Sequence, residues 1–275
     1  MLTSPAPVHR ARTLADALAW RATPPHATVL AGGTDLMVFL ELGSANPTSV
    51  LDLWGCTELR GISEDGRTLG ALTTWTDMVR HPALPVALRD CARTVGAPQI
   101  QNRGTIGGNI VNASPAGDSL PMWLVTDATF ELASVRGVRQ VPASAFWLGY
   151  RKTALAPDEL LVRVHLHPHA GDRLHYRKVG TRLAQAISKV VLGGRLRIEG
   201  GIVTEARVAL GSVAPTPIRA HHVEAALLGK PVDPAAAAAV ADDIAPIDDI
   251  RSTAAYRRTV SANVIRAWLE GEAAA

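Results

Sequence analysis

An α+β protein assembled from successive units is the fold class this sequence predicts, on three observations. Near the N-terminus a short apolar run leads through Gly32-Gly33 directly into a helical stretch, the strand–turn–helix order of an α/β unit. In the last third, two strand-like runs, residues 187–198 and 203–213, meet at Glu199-Gly200-Gly201, a hairpin signal. Helical signals then close the chain. With 275 residues, 47% hydrophobic and 19% charged, the chain can bury a sizeable core without staples and is not a disordered polypeptide.

Each element has a local reason. Residues 13–22 read as a helix capped by Thr13, with Leu14, Ala17 and Leu18 on one face, and Pro24-Pro25 stops it. Residues 28–31 form a short strand, 36–42 a helix and 50–53 a second buried strand. Residues 69–72 read as a strand, Thr74 caps a short helix holding Trp75 and Met78, and residues 84–95 form a longer one. Residues 96–119 carry little periodicity but hold Gly104, Gly107, Gly108, Gly117, Asn102, Asn109 and Asn112, so a long functional loop is expected there. Residues 120–126 read as helix, and 129–134 and 160–166 as strands; Tyr176 lies in a strand-like run. Three helices are expected at the end. Residues 217–228 start at Pro217 and stop at Gly229, residues 234–244 hold an alanine run behind Pro234, and residues 253–270 are capped by Ser252. The predicted division is a domain at 1–170, with subdomains at about 1–56 and 57–170, followed by an α+β domain at 171–275.

Charge and cysteine count exclude several functions. Lys+Arg is 28 and Asp+Glu 25, a formal charge of +3, too small a surplus to predict a nucleic-acid or anionic-membrane partner. No apolar run approaches the ~20 residues of a membrane helix, and the first residues lack a signal-peptide pattern, so a cytoplasmic protein is expected. Cys56 and Cys91 are too few for an iron–sulfur cluster or a four-cysteine zinc site, and both are expected to be inert. His165, His167 and His169 alternate, but Pro168 interrupts them and no metal site is expected. The six tryptophans are scattered and read mostly as core.

Two segments carry chemistry. In Leu30-Ala31-Gly32-Gly33-Thr34-Asp35-Leu36 a strand ends in two glycines, a hydroxyl and a helix start. Glycines let backbone N–H groups approach an anion, so this suits phosphate, although a plain strand–helix turn would look the same. The second segment, residues 105–118, repeats a hydroxyl beside two glycines in Thr105, Gly107 and Gly108. It adds the hydrogen-bonding side chains of Asn109, Asn112, Ser114 and Asp118. Two such loops suit a ligand with two phosphates. The G-x-G-x-x-G fingerprint and the Walker-type loop are both absent, which argues against a Rossmann or P-loop site.

Together AGGTDLM and TIGGNIVNASPAGD resemble the FAD-binding subunit of the molybdenum hydroxylases, the xanthine dehydrogenase and aerobic carbon monoxide dehydrogenase type. Residues 176–182 with 186–188, residues 207–220 and residues 251–258 are similar to later segments of that family, in order along nearly the whole chain. The resemblance implies a p-cresol methylhydroxylase-type FAD-binding domain of two α/β subdomains, then a C-terminal antiparallel sheet with helices. It implies that FAD is bound by this chain, with molybdopterin in a large partner and two [2Fe–2S] clusters in a small one. Electrons would pass through this chain's FAD to an acceptor such as NAD. Leu30 to Leu36 would wrap the pyrophosphate, and Thr105, Gly107, Gly108 and Asn109 would form the second wall, with Ser114 and Leu161 also in the site. Asp118 would meet ribityl or ribose hydroxyls, Lys178 would lie near the flavin and Tyr176 over its ring. Two readings stand beside this one: a self-sufficient flavin oxidoreductase of the same fold, and a nucleotide-binding assembly protein without redox work.

Overall fold

The computed structural model describes residues 6–167 and 171–274. The first layer is a parallel sheet of β1 (Val8–Arg10), β2 (Thr28–Leu30) and β3 (Val50–Asp52), with β3 central and wholly buried. α1 (Leu14–Ala22) packs against it and buries Ala17, whereas α2 (Leu36–Glu41) buries none of its residues. Thr13 caps α1 by accepting from the Asp16 amide.

The second layer is an antiparallel sheet, in the order β4 (Thr68–Gly70), β9, β5 (Thr129–Ser134), β6 (Gly137–Pro142). Its helices are α3 (Trp75–Arg80), α4 (Val86–Thr94), α5 (Pro98–Gln101), α6 (Ile106–Asn112) and α7 (Leu120–Val125). The small hairpin β7 (Trp147–Gly149) and β8 (Lys152–Thr153) precedes β9 (Leu160–His165). Thr74 and Asp77 form a reciprocal capping box at α3. The stretch expected as one long loop, residues 96–119, thus holds two short helices, α5 and α6, between its turns. Glycine is a poor helix former, so Gly107 and Gly108 hide α6 from a propensity reading. Tertiary packing overrides them: a Cβ on Gly107 would sit 2.7 Å from the Ala71 carbonyl oxygen.

The third layer is the antiparallel sheet of β10 (Arg173–Val179), β11 (Val190–Glu199), β12 (Ile202–Gly211) and β13 (Ile218–Arg219), in that order. Gly200 and Gly201, both at positive φ, make the expected hairpin turn. Three helical expectations are corrected here. Residues 218–219 pair with Leu210 and Ala209 as a strand, and α8 (His221–Leu227) begins only beyond them, still ending before Gly229. The alanine run is a 3-10 helix, Pro234–Asp242; Ala237 and Val240, three apart, both point into the core of this layer, a spacing that the threefold turn aligns. The last helix, α9 (Ala254–Ala273), is capped by Thr253 rather than Ser252, whose amide bonds Asp249 instead.

Four tryptophans, Trp75, Trp123, Trp147 and Trp268, are buried. Trp54 carries the guanidinium groups of Arg60 and Arg103 at 4.1 and 3.6 Å from its ring. His165 bonds Glu131 at 2.9 Å and His167 bonds Thr129 at 2.9 Å, while His169 lies outside the described residues. Among the described residues no group of three or more His, Cys, Asp or Glu side chains could hold a metal, and no helix is long and apolar enough to cross a membrane.

Candidate functional site

A cleft of about 1090 Å³ runs where the three layers meet. Its first wall is the turn from β2 into α2: Ala31, Gly32, Gly33, Thr34, Asp35 and Leu36 all line it. Gly33 has φ +79°, a conformation glycine adopts without the Cβ penalty. Gly32 is needed for a different reason, since a Cβ there would lie 1.9 Å from the Arg103 carbonyl oxygen. Among the described residues the amides of Gly32, Gly33, Thr34 and Asp35 donate to no acceptor. Four adjacent unpaired donors are a set made for an anion or for water.

The facing wall is α6, and its chemistry differs from the sequence expectation. The Ile106 amide donates to Thr73 O, Gly107 to Ala71 O, and both Gly108 and Asn109 to Thr105, whose hydroxyl caps the helix. These amides are consumed by the protein. Glycine here serves close packing at Gly107 and an open face at Gly108, where a Cβ would meet only Thr105 Oγ1 at 3.0 Å and Ala31 Cβ at 4.0 Å. Polar side chains link the two walls. Asn112 donates to Asp35 and accepts from Arg151 at 2.8 Å, and Asn109 accepts from Ser119 at 2.7 Å.

Asp118 also lines the cleft, from the short segment joining α6 to α7. Its Oδ2 accepts from Lys178 Nζ at 2.7 Å, and Lys178 donates again to Thr94 O at 2.9 Å. Both side chains are about nine-tenths buried, at 9% and 10% exposure. Among the described residues Asp118 Oδ1 is buried with no hydrogen-bond partner. Burial pushes the Asp118 carboxyl above its ordinary value, opposed by Lys178 and Ser188. Tyr176 bonds Thr94 Oγ1 at 2.7 Å, and burial drives its phenol far above the usual range. Cys91 is buried beside this group and Cys56 is buried elsewhere, its thiol pushed up to about 11, so neither is a ready thiolate.

Residues 3–169 match the FAD binding domain in molybdopterin dehydrogenase, and residues 175–271 match the CO dehydrogenase flavoprotein C-terminal domain. The chain belongs to the FAD-binding subunits of the molybdenum hydroxylases. It is similar to the xanthine dehydrogenase FAD-binding subunit of Escherichia coli O157:H7, 38% identical over 267 residues, covering 90% of this chain and 89% of the relative. It is also similar to the carbon monoxide dehydrogenase medium chain of Hydrogenophaga pseudoflava, 33% identical over 253 residues and covering 87% of each. A solved carbon monoxide dehydrogenase from Hydrogenophaga pseudoflava, lacking the Mo-pyranopterin moiety of its cofactor, superposes with a TM-score of 0.90 at 32% identity, over 97% of this chain and 96% of that one. As a member of this family the chain is an oxidoreductase subunit.

The residues present fit FAD: unpaired amides at Gly32 to Asp35, a glycine-faced wall at Gly108 and an orphaned acceptor at Asp118. Of the residues singled out in the sequence, the cleft is lined by Ala31 to Leu36, Thr105, Gly107, Gly108, Asn109, Ser114, Asp118 and Leu161. Leu30, Tyr176 and Lys178 do not line it. Leu30 is committed to pairing with Asp52 in the parallel sheet, and Tyr176 and Lys178 lie behind Asp118. Sequence reasoning missed the contribution of the C-terminal layer: Ser188, Ser212 and Arg257 also line the cleft. Ser188 and Ser212 share a bond at 3.1 Å, and Arg257 donates to Ser212 O at 2.7 Å and to Asp249 at 2.8 Å. Arg257 stands within a segment that resembled the family, but nothing local marks it as a cleft residue.

Proposed function

We propose that this chain is the electron-transfer subunit of a heterotrimeric molybdenum hydroxylase, working beside a large molybdopterin subunit and a small subunit with two [2Fe–2S] clusters. Bound FAD would supply the redox chemistry that joins those clusters to an acceptor such as NAD. The chain's own part is to bind, orient and insulate. The amides of Gly32 to Asp35 hold the pyrophosphate, and Gly108 leaves room against the opposite wall. Asp118 Oδ1 accepts from a sugar or ribityl hydroxyl, while Lys178 balances the charge on Oδ2. Leu155, Leu160 and Leu161 give the cleft an apolar wall that excludes water. We assign residues 1–170 to cofactor binding, divided near residue 56, and 171–275 to the layer that closes the cleft. Two free, buried thiols agree with a reducing compartment, the cytoplasm.

The observation that carries this reading is the run of four unpaired amides opening into a large cleft shared by all three layers. The test is purification of the full chain with and without candidate partners. A yellow chain with one FAD, free of iron and molybdenum, that captures a molybdenum subunit and a cysteine-rich one supports it. A yellow chain that binds neither partner supports the self-sufficient oxidoreductase. A folded chain that takes up no FAD returns the assembly-protein reading.

A further inference from the structure

We infer that Asp127 is a positioning residue that sets where the third layer seats on the second, and through that how Ser188, Ser212 and Arg257 meet the cofactor. The inference rests on the FAD-binding reading and deepens it. Asp127 stands just past the end of α7, at φ +47°, a conformation that Asp tolerates better than most side chains. Its carboxylate takes a guanidinium from each of three neighbouring strands of the third layer. Arg195 of β11 lies at 2.7 Å, Arg207 of β12 at 3.3 Å and Arg219 of β13 at 3.6 Å. The cleft lies beyond the other end of α7, where Ser188 and Ser212 approach it.

The sheet face under α7 explains why one carboxylate matters. Side chains alternate along a strand, so residues 191, 193, 195 and 197 of β11 share a face, with 205, 207, 209 and 211 of β12 across from them. At the end next to Ser188 and Ser212 that face is small. A Cβ on Gly193 would lie 3.1 Å from Pro121 O, and one on Gly211 3.2 Å from Pro121 Cγ. Glycines present no ridge for a helix to lock against, so packing there fixes the seat of α7 along the strands only weakly. At the other end the face is charged. Arg195 sits directly opposite Arg207, a like-charge pair that is unfavourable in a sheet. Only 2% of the Arg195 side chain is exposed, so water does little to weaken that repulsion. Among the described residues, the ion pairs of Arg195, Arg197, Arg207 and Arg219 within their own layer go to three carboxylates, Asp172, Glu205 and Glu224. Asp127 is the fourth, and it comes from the second layer. These four cations are matched only when the sheet is seated on Asp127. Without that charge the sheet shifts along its glycine end, and Ser188 and Ser212 move with it.

The experiment measures two quantities on the flavin-stripped full chain: the FAD dissociation constant, by fluorescence quenching, and Tm. Four proteins are compared: the parent, Asp127→Asn, Arg207→Gln and the double variant. Asn keeps the shape of Asp and its tolerance of positive φ, so the first substitution removes only the charge. The expected result is an Asp127→Asn variant with lower Tm that binds FAD roughly tenfold more weakly, the cost of leaving a buried cation unmatched. Arg207→Gln stays close to the parent, because Arg195 keeps both Asp127 and Glu205. The double variant, freed of the like-charge pair, regains most of the lost affinity. Losses that multiply in the double variant overturn the inference. A lower Tm with parent-like affinity overturns it too, since Asp127 would then stabilise the fold without placing the cleft residues. Should Asp127→Asn fail to fold, the double variant decides: recovery of a folded, FAD-binding chain supports the inference and its absence ends it. A folded parent that binds no FAD sinks the cofactor reading instead, while the same cycle read on Tm still decides whether Asp127 holds the two layers in place.

Discussion

The two glycine-rich turns look alike in sequence and do different work in the structure. In AGGTDL the amides of Gly32 to Asp35 are left unpaired among the described residues; in TIGGN every amide from Ile106 to Asn109 has a protein acceptor. Glycine is demanded in the first turn by a positive φ at Gly33 and close backbone contact at Gly32. In the second it is demanded by packing at Gly107 and by clearance at Gly108. A hydroxyl followed by glycines is therefore no measure of anion binding; what matters is whether the amides already have partners. The two walls also differ in how they are held. The first depends on Asn112 reaching Asp35 across the cleft, whereas α6 is anchored in the second layer through Ala71 and Thr73.

Substitutions can break this contrast or sharpen it. The largest effect is expected from Gly33→Val, which places a β-branched side chain at φ +79° and turns the donor run away from the cleft. FAD should be lost while the purified chain stays folded, as read by flavin content and circular dichroism; full flavin occupancy would remove the first turn from the site. Gly107→Ala forces a methyl to 2.7 Å from Ala71 O and should cost about 2 kcal/mol of stability, seen as a lower Tm in the flavin-stripped chain. An unchanged Tm would show that α6 can shift, and that its glycine is not there for packing.

Gly108→Ala separates binding from folding. Its methyl faces the cleft, so the stripped chain should keep its Tm while FAD affinity drops roughly tenfold, about 1.4 kcal/mol. A stability loss with normal affinity would reverse the assignment of the two neighbouring glycines. The smallest effect is expected at the hydroxyls. Thr105→Val removes the cap on the Gly108 amide and should cost about 1 kcal/mol in a urea titration. Thr34→Val, whose hydroxyl makes no bond among the described residues, should leave that midpoint in place. Equal shifts for the two would mean the turns are alike after all.

Much of the fold was legible because its signals are local. Thr13 and Thr74 cap their helices through bonds spanning three residues, and the Gly200-Gly201 turn closes its own hairpin. The candidate cleft was legible in part for the same reason: both glycine turns lie in contiguous segments. The elements that were misread have non-local causes. Glycine in α6 is tolerated because Ala71 packs against it, and residues 218–219 become a strand because β12 offers them an edge.

By itself the sequence determined the layer order, the two glycine turns and the family resemblance, since each is written within a few consecutive residues. The tertiary structure alone decided which amides remain free, because the acceptors for Ile106 and Gly107, Thr73 O and Ala71 O, come from residues some thirty positions earlier. It alone set Lys178 behind Asp118, across 60 residues of chain, rather than in the cleft. It alone brought Ser188, Ser212 and Arg257 to a site whose other walls lie in the first two layers. Hydrogen-bond satisfaction and charge burial depend on what folding brings near, and no spacing along the chain encodes that.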